Sequence, residues 1–374
     1  MPPAATVEPC IDCDVHPYDS PAHPIAPYLS RAVREAIAQG CGARPTMGYQ
    51  NPFGVIRRDA GESDPQSIGR ELLDRYQIAY AVLQPPGMSA GLSTQIDVGT
   101  AQARAWNDWQ RGEFLAADPR FLGSICVNMN DPAGAVGEIE RLAGDARMVQ
   151  VLACGESDRL YGHRCYHAIY AACAAAGKPF ALHPGTEGSI TPSTPVGRPS
   201  SYFEWHCGIP QTFQAHLISL VLEGVFARWP AFRLVLVEGG VAWLPHLLWR
   251  MDKNFKALRS TTPWLKRPPS EYVFEQVRLT TQPFEEPPCE EHLLAIWEMI
   301  HAEQTLMFSS DYPHWDFDDL ERAFPRRASA AVRRRVLYEN AAELYHLPAL
   351  NVARPTAPAV EAAGRSAEAG ALQV

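Results

Sequence analysis

Short apolar segments recur along the chain, and amphipathic segments separate them. Near-continuous apolar runs of this kind are typical of strands that are buried on both faces of a parallel sheet. Eight such strands are predicted at residues 10–15, 78–84, 121–128, 148–154, 179–183, 233–238, 277–282 and 305–311.

The segments between these strands have helical periodicity. In residues 212–229, for example, Phe213, Leu217, Leu220 and Val221 fall on one face. Strands that alternate with helices predict an α/β fold, and eight such units predict a (β/α)8 TIM barrel. A doubly wound open sheet is the alternative, but no Gly-x-Gly-x-x-Gly motif follows the first strand.

Two long insertions interrupt the regular spacing. Residues 17–64 follow strand 1, and residues 185–209, rich in Pro, Ser and Thr, follow strand 5. Both begin at the carboxyl ends of strands, where barrel enzymes place their active sites. We expect one barrel domain over residues 8–348. The tail, residues 349–374, is rich in Ala, Pro, Ser and Glu, a composition that predicts disorder.

Composition and charge argue against a nucleic-acid-binding protein and against a membrane protein. The chain has 374 residues, 46% of them hydrophobic, and a net charge of −9, which favours a globular protein without a nucleic-acid surface. No apolar run approaches the ~18 residues of a membrane-spanning helix, so we expect no membrane association. The N-terminal residues lack the pattern of a signal peptide, and the nine cysteines are an odd number. Both features predict a cytoplasmic protein with free thiols.

Polar residues at the carboxyl ends of the predicted strands carry the candidate chemistry. Asp14 and His16 end strand 1 and share one face, because alternate residues of a strand point the same way. His183, Glu238 and Asp311 end strands 5, 6 and 8. A barrel brings these ends to one mouth, so the histidines and carboxylates predict a divalent-metal site.

Several motifs make the chain resemble the amidohydrolase-related barrel family that includes aminocarboxymuconate-semialdehyde decarboxylase and the resorcylate-type decarboxylases. They are IDCDVHP at 11–17, FALHP at 180–184, GVFARWP at 224–230, LVLVEGG at 234–240, FSSDYPHW at 308–315 and YENAA at 338–342. The resemblance implies metal ligands at Asp14, His16, His183 and Asp311. It also implies one or two divalent ions per chain, which could be zinc, manganese or iron.

Glu238 departs from the family pattern, because relatives usually carry a histidine at the end of strand 6. A glutamate anion cannot donate a hydrogen bond, but it can act as a general base or as a further metal ligand.

The leading hypothesis is a metal-dependent hydrolase or decarboxylase that acts on a small organic acid or aromatic compound, with Asp311, Glu238 and His183 as catalytic residues. The resemblance also supports an alternative, a dinuclear iron or manganese–iron oxygenase that hydroxylates a small carboxylic compound. There Glu238 and His206 would bind a second metal. A third hypothesis is an inactive partner subunit of a hetero-oligomer.

Further residues are candidates for substrate contact. Trp205 and Trp243 flank candidate ligands and are predicted to line an apolar pocket, and His314 follows Asp311 by three residues. The expected partners are a small-molecule substrate and other subunits, either copies of this chain or a homologous chain, because relatives commonly form dimers or larger assemblies.

Overall fold

The structure is a computed structural model that describes residues 9–41, 54, 56–57, 60–61, 63–185, 194 and 196–348. Eight parallel strands form one sheet in which neighbours along the chain are also neighbours in space. The strands are β1 Cys10–Val15, β2 Ile78–Leu83, β3 Phe121–Cys126, β4 Met148–Cys154, β5 Phe180–His183, β6 Leu234–Leu236, β7 Val277–Thr280 and β8 Leu306–Met307.

Helices follow every strand and cover the outside of the sheet. They are α1 Arg31–Ala38, α2 Pro65–Ile68, α3 Ile96–Gln110, α4 Pro132–Leu142, α5 His167–Ala176, α6 Tyr202–Leu222, α7 Val225–Arg228, α8 Leu244–Leu258, α9 Pro269–Gln276, α10 Glu290–Met299, α11 Ala302–Thr305, α12 Leu320–Ala323, α13 Ala330–Arg334 and α14 Asn340–Leu344. Helical turns of π geometry, Gly69–Asp74, Arg111–Leu115 and Arg335–Glu339, continue α2, α3 and α13.

The strands are apolar because both of their faces are buried. Every residue of β1, β3, β4, β5, β6 and β8 is buried, with one face toward the barrel interior and the other against the helices. This burial explains the near-continuous apolar runs in the sequence. The predicted (β/α)8 barrel is therefore confirmed.

Backbone hydrogen bonds between β1 and the segment after β8 close the barrel. The Cys13 amide donates to the Phe308 carbonyl at 2.9 Å, and the Asp311 amide donates to the Asp14 carbonyl at 3.1 Å. The His16 amide then donates to the Tyr312 carbonyl at 2.8 Å. We call this line of contacts the closure seam. Two of its three hydrogen bonds involve candidate metal ligands directly.

Asp12 reinforces the closure seam from inside the barrel wall. Its Oδ1 accepts a hydrogen bond from the Ser310 amide at 3.0 Å, and its Oδ2 accepts one from the Ser310 hydroxyl at 2.5 Å. Burial raises the pKa of the fully buried Asp12 carboxyl to about 7. Asp12 therefore ties β1 to the segment after β8, two residues before Asp14.

The insertion after β5 differs from the prediction. Residues 185–209 read as a loop, and a helix was expected only from residue 212, but α6 begins at Tyr202. The Ser201 hydroxyl caps it by accepting a hydrogen bond from the Glu204 amide at 3.2 Å. Gly208 and Pro210, residue types that disfavour a helix interior, lie inside this long helix. The first turns of α6 carry both Trp205 and His206.

Some predictions fall on residues that the structure does not describe. The predicted tail, residues 349–374, lies outside the described residues, as do parts of both insertions. All nine cysteines are described, and all are free thiols, as predicted. None of the described helices is long and apolar enough to span a membrane.

Replacing Asp12 tests the closure seam. Asp12→Ala leaves the Ser310 amide and hydroxyl without their acceptor in a buried site, and we expect it to lower the free energy of unfolding by roughly 3 kcal/mol. Ser310→Ala keeps the amide hydrogen bond and should cost roughly 1 kcal/mol. Urea unfolding followed by circular dichroism measures both values. Equal losses in the two variants would contradict this role of Asp12.

His216 of α6 is a buried histidine that anchors the loop after β4. Its Nε2 lies 2.7 Å from the Gly155 carbonyl oxygen, and its Nδ1 accepts a hydrogen bond from the Tyr161 amide at 3.1 Å. Its ring stacks on the Tyr161 ring at a centroid distance of 4.2 Å. Burial lowers the pKa of His216 to about 4, so it stays neutral in the folded protein under conditions that protonate an exposed histidine.

The low pKa of His216 predicts a loss of stability in acid. Between the ordinary pKa of about 6.5 and the folded value of about 4, the unfolded chain binds a proton that the folded chain does not. Stability should therefore fall as the pH drops through this window, by about 3 kcal/mol from this group. In His216→Gln, denaturation curves from pH 7 to pH 4 should show a shallower fall. Parallel pH dependences in the two proteins would contradict the assignment.

Candidate metal centre

Four predicted ligands converge at the mouth of the barrel. Asp14, His16, His183 and Glu238 each offer a ligand atom, and these atoms lie within 4.8 Å of one another. His16 Nε2 lies 2.9 Å from Asp14 Oδ1, and His183 Nε2 lies 3.1 Å from Glu238 Oε2. The two Nε2 atoms are 3.3 Å apart. We call these residues, together with Asp311, the first centre.

Asp311 joins this group from the segment after β8. Its Oδ1 lies 3.0 Å from His16 Nε2 and 2.6 Å from His314 Nδ1. The rings of His16 and His314 stack with centroids 4.1 Å apart and an interplanar angle of 27°. Asp311 is therefore in contact with one predicted ligand and with one predicted substrate-contact residue.

Unsatisfied buried oxygens indicate that a cation fits the first centre. Asp14 and Asp311 are fully buried, yet both Asp14 carboxylate oxygens and Asp311 Oδ1 lack a hydrogen-bond partner. The Nε2 atoms of His16 and His183 lie near these oxygens without hydrogen-bond geometry. The ligand atoms of Asp14, His16, His183 and Glu238 lie within 4.8 Å of one another, close enough to share one metal ion. Imidazole and carboxylate donors suit zinc, manganese or iron.

The His183 ring is held by the backbone. Its Nδ1 lies 2.6 Å from the carbonyl oxygen of Pro184, and a proton on Nδ1 makes this contact a hydrogen bond. That proton leaves the Nε2 lone pair directed at Asp14 and Glu238. A backbone carbonyl behind a histidine ligand is a common way to fix the ring orientation and tautomer at metal sites.

Burial and the close charges shift the pKa values in the first centre. Burial opposes ionisation of Asp14, but His16 and His183 hold its pKa well below the ordinary value. Burial also opposes the charged form of His183, but the attraction of the Asp14 carboxylate is stronger and raises the pKa of His183. For His16 burial dominates and lowers the pKa. Burial raises the pKa of Asp311 to about 7.

Strained backbone marks two residues of the first centre. Glu238 and Asp311 both have φ of +60°, in the left-handed region that side-chain-bearing residues rarely adopt. The hydroxyl of Thr280 accepts a hydrogen bond from the Glu238 amide at 3.0 Å. Left-handed residues cost of order 1–3 kcal/mol and cluster at functional sites, where the surrounding structure maintains them. The strain fits a functional position for both carboxylates.

His206 lies in a second group of donors beside the first. This group consists of His206, Glu238 and Asp316, so Glu238 belongs to both. His206 Nε2 lies 3.2 Å from Asp316 Oδ2. Burial opposes ionisation of Asp316, but its hydrogen bond with His206 lowers the pKa. We call these three residues the second centre.

Asp316 and Gln282 were not among the site residues predicted from the sequence. Gln282 is fully buried, and its Nε2 lies 3.2 Å from both Asp311 Oδ2 and Asp316 Oδ2. Gln282 closes the predicted strand 7, so its position at a strand end was an available signal. Asp316 lies in the loop after β8, where strand periodicity carries no information about the direction of a side chain.

The predicted substrate-contact residues have different surroundings. His314 contacts Asp311 in the first centre. Trp205 is 7% exposed, packs beside His206 and has an indole Nε1 without a hydrogen-bond partner. Trp243 instead donates from Nε1 to the carbonyls of Gly239 and Gly240, at 2.8 and 3.1 Å, and so braces the turn after β6.

The chain is similar to characterised decarboxylases. It is 25% identical over 301 residues to a gamma-resorcylate decarboxylase from Polaromonas sp. (strain JS666 / ATCC BAA-500), a match that covers 76% of this chain and 88% of that protein.

Solved structures share the barrel fold. A 5-carboxyvanillate decarboxylase from Novosphingobium aromaticivorans DSM 12444, complexed with manganese, matches with a TM-score of 0.69 and 19% identity over 92% of this chain and 97% of that chain. A dihydroxybenzoic acid decarboxylase from Polaromonas sp. JS666, with bound manganese and the inhibitor 2-nitroresorcinol, matches with a TM-score of 0.62 and 21% identity over 92% and 99% of the two chains.

The family itself follows from a match over nearly the whole chain. The family model described as Amidohydrolase matches residues 11–347, which span the barrel from β1 to the end of the described helices. The barrel and the donors at its mouth agree with this match, and the chain belongs to the amidohydrolase family.

Proposed function

We propose that this chain is a metal-dependent decarboxylase of a hydroxylated aromatic carboxylic acid. The observation that carries the proposal is the donor set Asp14, His16, His183 and Glu238 at the mouth of an amidohydrolase-family barrel, with Asp311 Oδ1 3.0 Å from His16 Nε2. The names of the relatives support the reaction class, because the similar proteins described above are decarboxylases of aromatic acids.

The first centre would hold the cation through these four residues, with Glu238 available as a further ligand. A divalent cation there supplies Lewis-acid chemistry for binding the oxygen atoms of an aromatic acid. Imidazole nitrogens from the residue after β1 and from β5, and carboxylate oxygens from β1 and from the segment after β8, form the donor set. These side chains lie at or just beyond the carboxyl ends of the barrel strands, which suits a site that must fix the substrate orientation.

Decarboxylation replaces a carbon–carboxylate bond with a carbon–hydrogen bond, so each turnover consumes one proton. We expect Asp311 and His314 to deliver it. Asp311 Oδ1 lies 2.6 Å from His314 Nδ1, and His314 is partly exposed while Asp311 is fully buried. We infer that His314 passes a proton from the solvent side to Asp311, which delivers it to the ring carbon that loses CO2.

Glu238 gives this centre a different chemistry from relatives with a histidine at the end of strand 6. Its Oε2 lies 3.1 Å from His183 Nε2, so it adds a carboxylate oxygen to the donor set. An ionised Glu238 cannot donate to a substrate oxygen, and it repels a substrate carboxylate that approaches it closely. We therefore expect the substrate carboxylate to lie on the Asp311 side of the mouth, away from Glu238.

The alternatives differ in their support. The relatives described above are named decarboxylases, which favours decarboxylation over hydrolysis, and none of them is named an oxygenase. The intact donor set weighs against an inactive partner subunit. The oligomeric state and the cytoplasmic location stay predictions from the sequence.

Metal removal should destabilise the protein. Without a cation, the buried carboxylates of Asp14 and Asp311 lose their counter-charge, and a bound ion stabilises the fold by about 2.7 kcal/mol at 100 times its Kd. Treatment with EDTA should therefore lower the melting temperature, and Mn²⁺ should restore it. In His183→Ala the response to Mn²⁺ should be largely lost, whereas the exposed His301→Ala should keep it. Identical melting curves with EDTA and with Mn²⁺ would exclude a cation in the first centre.

Activity assays test the reaction. The Mn²⁺-loaded protein should release CO2 from at least one hydroxylated benzoate in a panel that includes 2,6-dihydroxybenzoate and 5-carboxyvanillate. Asp311→Asn should lower kcat/KM by roughly 100-fold or more, because it removes a ligand and a proton donor, while asparagine tolerates the left-handed backbone. Asp318→Asn, a change in the same loop outside both centres, should retain activity. A fully active Asp311→Asn variant would contradict the assignment.

A further inference from the structure

An open cleft lies where the segment before β2 meets the loop after β8. It has a volume of about 360 Å³, and its lining includes the arginines Arg57, Arg75 and Arg322 and the aromatic residues Tyr76, Trp315 and Phe317. We call it the arginine cleft. It shares no lining residue with the first or the second centre, so it is a separate place on the protein.

The arginine cleft is positive although the chain as a whole is negative. The chain has a net charge of −9, yet three guanidinium groups and one carboxylate, that of Asp319, line this cleft. Both oxygens of Asp319 are already used. Its Oδ2 accepts a hydrogen bond from the Tyr76 hydroxyl at 2.8 Å, and its Oδ1 accepts one from the Glu321 amide at 2.9 Å. Burial raises the pKa of Tyr76 to about 12, so its hydroxyl stays a donor to Asp319 at neutral pH.

Two of the arginines have no counter-ion among the residues that the structure describes. Arg75 and Arg322 are exposed, and neither makes an ion pair within the described ranges. A guanidinium group stays charged at physiological pH, and its planar fork can bind a carboxylate through two parallel hydrogen bonds. The cleft therefore fits an anionic ligand.

Aromatic rings hold two guanidinium groups of the cleft in place. Arg57 Cζ lies 4.8 Å from the centroid of the Phe317 ring. Arg75 Cζ lies 5.0 Å from the centroid of the Tyr76 ring, and the two rings are 6.0 Å apart. These cation–π contacts restrict the guanidinium groups before any ligand binds, which reduces the entropy that they lose on binding an anion.

Trp315 adds an open aromatic face to the arginine cleft. It is 38% exposed, whereas Tyr76 is 8% exposed and Phe317 is partly covered by Arg57. A ligand that joins a negative charge to a planar ring uses both features, because its ring packs on the indole while its charge pairs with arginine. Inorganic phosphate would use the arginines alone.

We propose that the arginine cleft binds a small aromatic carboxylate, with the carboxylate at Arg75 and Arg322 and the ring against Trp315. This inference goes beyond the proposed function and does not depend on it, because the cleft lies outside the donor set. The ligand joins the segment before β2, the loop after β8 and α12. That loop also carries Asp311 and His314, so the ligand contacts a loop of the metal centre from a site of its own.

Calorimetric titration with benzoate tests the proposal without reference to activity. Full-length Mn²⁺-loaded protein is titrated beside His183→Ala, which lacks one ligand of the first centre. We expect both proteins to bind benzoate at the cleft. Introduced into either protein, Arg75→Ala and Arg322→Ala should each weaken this binding roughly tenfold or more, because each removes a charged partner of the carboxylate.

Matched controls separate the charge from the ring. Arg326→Ala should leave the affinity for benzoate unchanged, since Arg326 is an exposed arginine near Arg322 that does not line the cleft. Trp315→Leu should weaken the binding of benzoate but not that of inorganic phosphate. Cyclohexanecarboxylate, which has the same charge and no aromatic ring, should bind more weakly than benzoate to the wild type.

Each outcome of the titrations decides the proposal. Absence of benzoate binding would overturn it, as would an affinity that neither Arg75→Ala nor Arg322→Ala changes. Benzoate binding that His183→Ala abolishes would belong to the barrel mouth and would also overturn it. Phosphate that binds as tightly as benzoate, without an effect of Trp315→Leu on benzoate, would refute the aromatic ligand. Decarboxylation has no part in these measurements, so the cleft and the proposed function fail independently.

Discussion

The hydrogen bonds between β1 and the segment after β8 close the barrel and assemble the metal centre at the same time. The Asp311 amide binds the Asp14 carbonyl, and the His16 amide binds the Tyr312 carbonyl. A shift of one residue in this pairing would open the barrel wall and separate the ligands. The buried hydrogen bonds between Ser310 and the Asp12 carboxylate stabilise this register. Fold and site therefore depend on one line of contacts.

The buried carboxylates and the left-handed residues at the mouth of the barrel cost folding free energy, which the rest of the fold must offset. Asp14 and Asp311 are fully buried carboxylates with oxygens that lack a hydrogen-bond partner, and Glu238 and Asp311 adopt left-handed backbone conformations. Each feature costs stability in the absence of a cation. The large apolar layers on both faces of the sheet supply the opposing free energy. The barrel therefore has to be stable without help from these residues. A cation that binds at the first centre removes much of the free-energy cost of burying their carboxylates.

The sequence predicted most of the first centre because strands have a period of two and barrel strands end at one mouth. Asp14 lies in β1, His16 directly follows its last residue, and His183 ends β5, so their meeting followed from the fold class. The same reasoning could not place Asp316, since a loop has no such period. It also missed the start of α6, because the Pro-, Ser- and Thr-rich composition of residues 185–209 predicted a loop, although Ser201 caps a helix that begins at Tyr202.

The sequence by itself determined the barrel and placed the donors at or just beyond the carboxyl ends of its strands, because these follow from local patterns of apolar and polar residues, although β6 and β8 end before Glu238 and Asp311. Only the tertiary structure decided which donors share a centre. Glu238 stands between His183 and His206, and Gln282 joins Asp311 to Asp316. These pairings link residues far apart in the chain, and their distances depend on how loops and helix starts pack across the mouth, which no local pattern encodes.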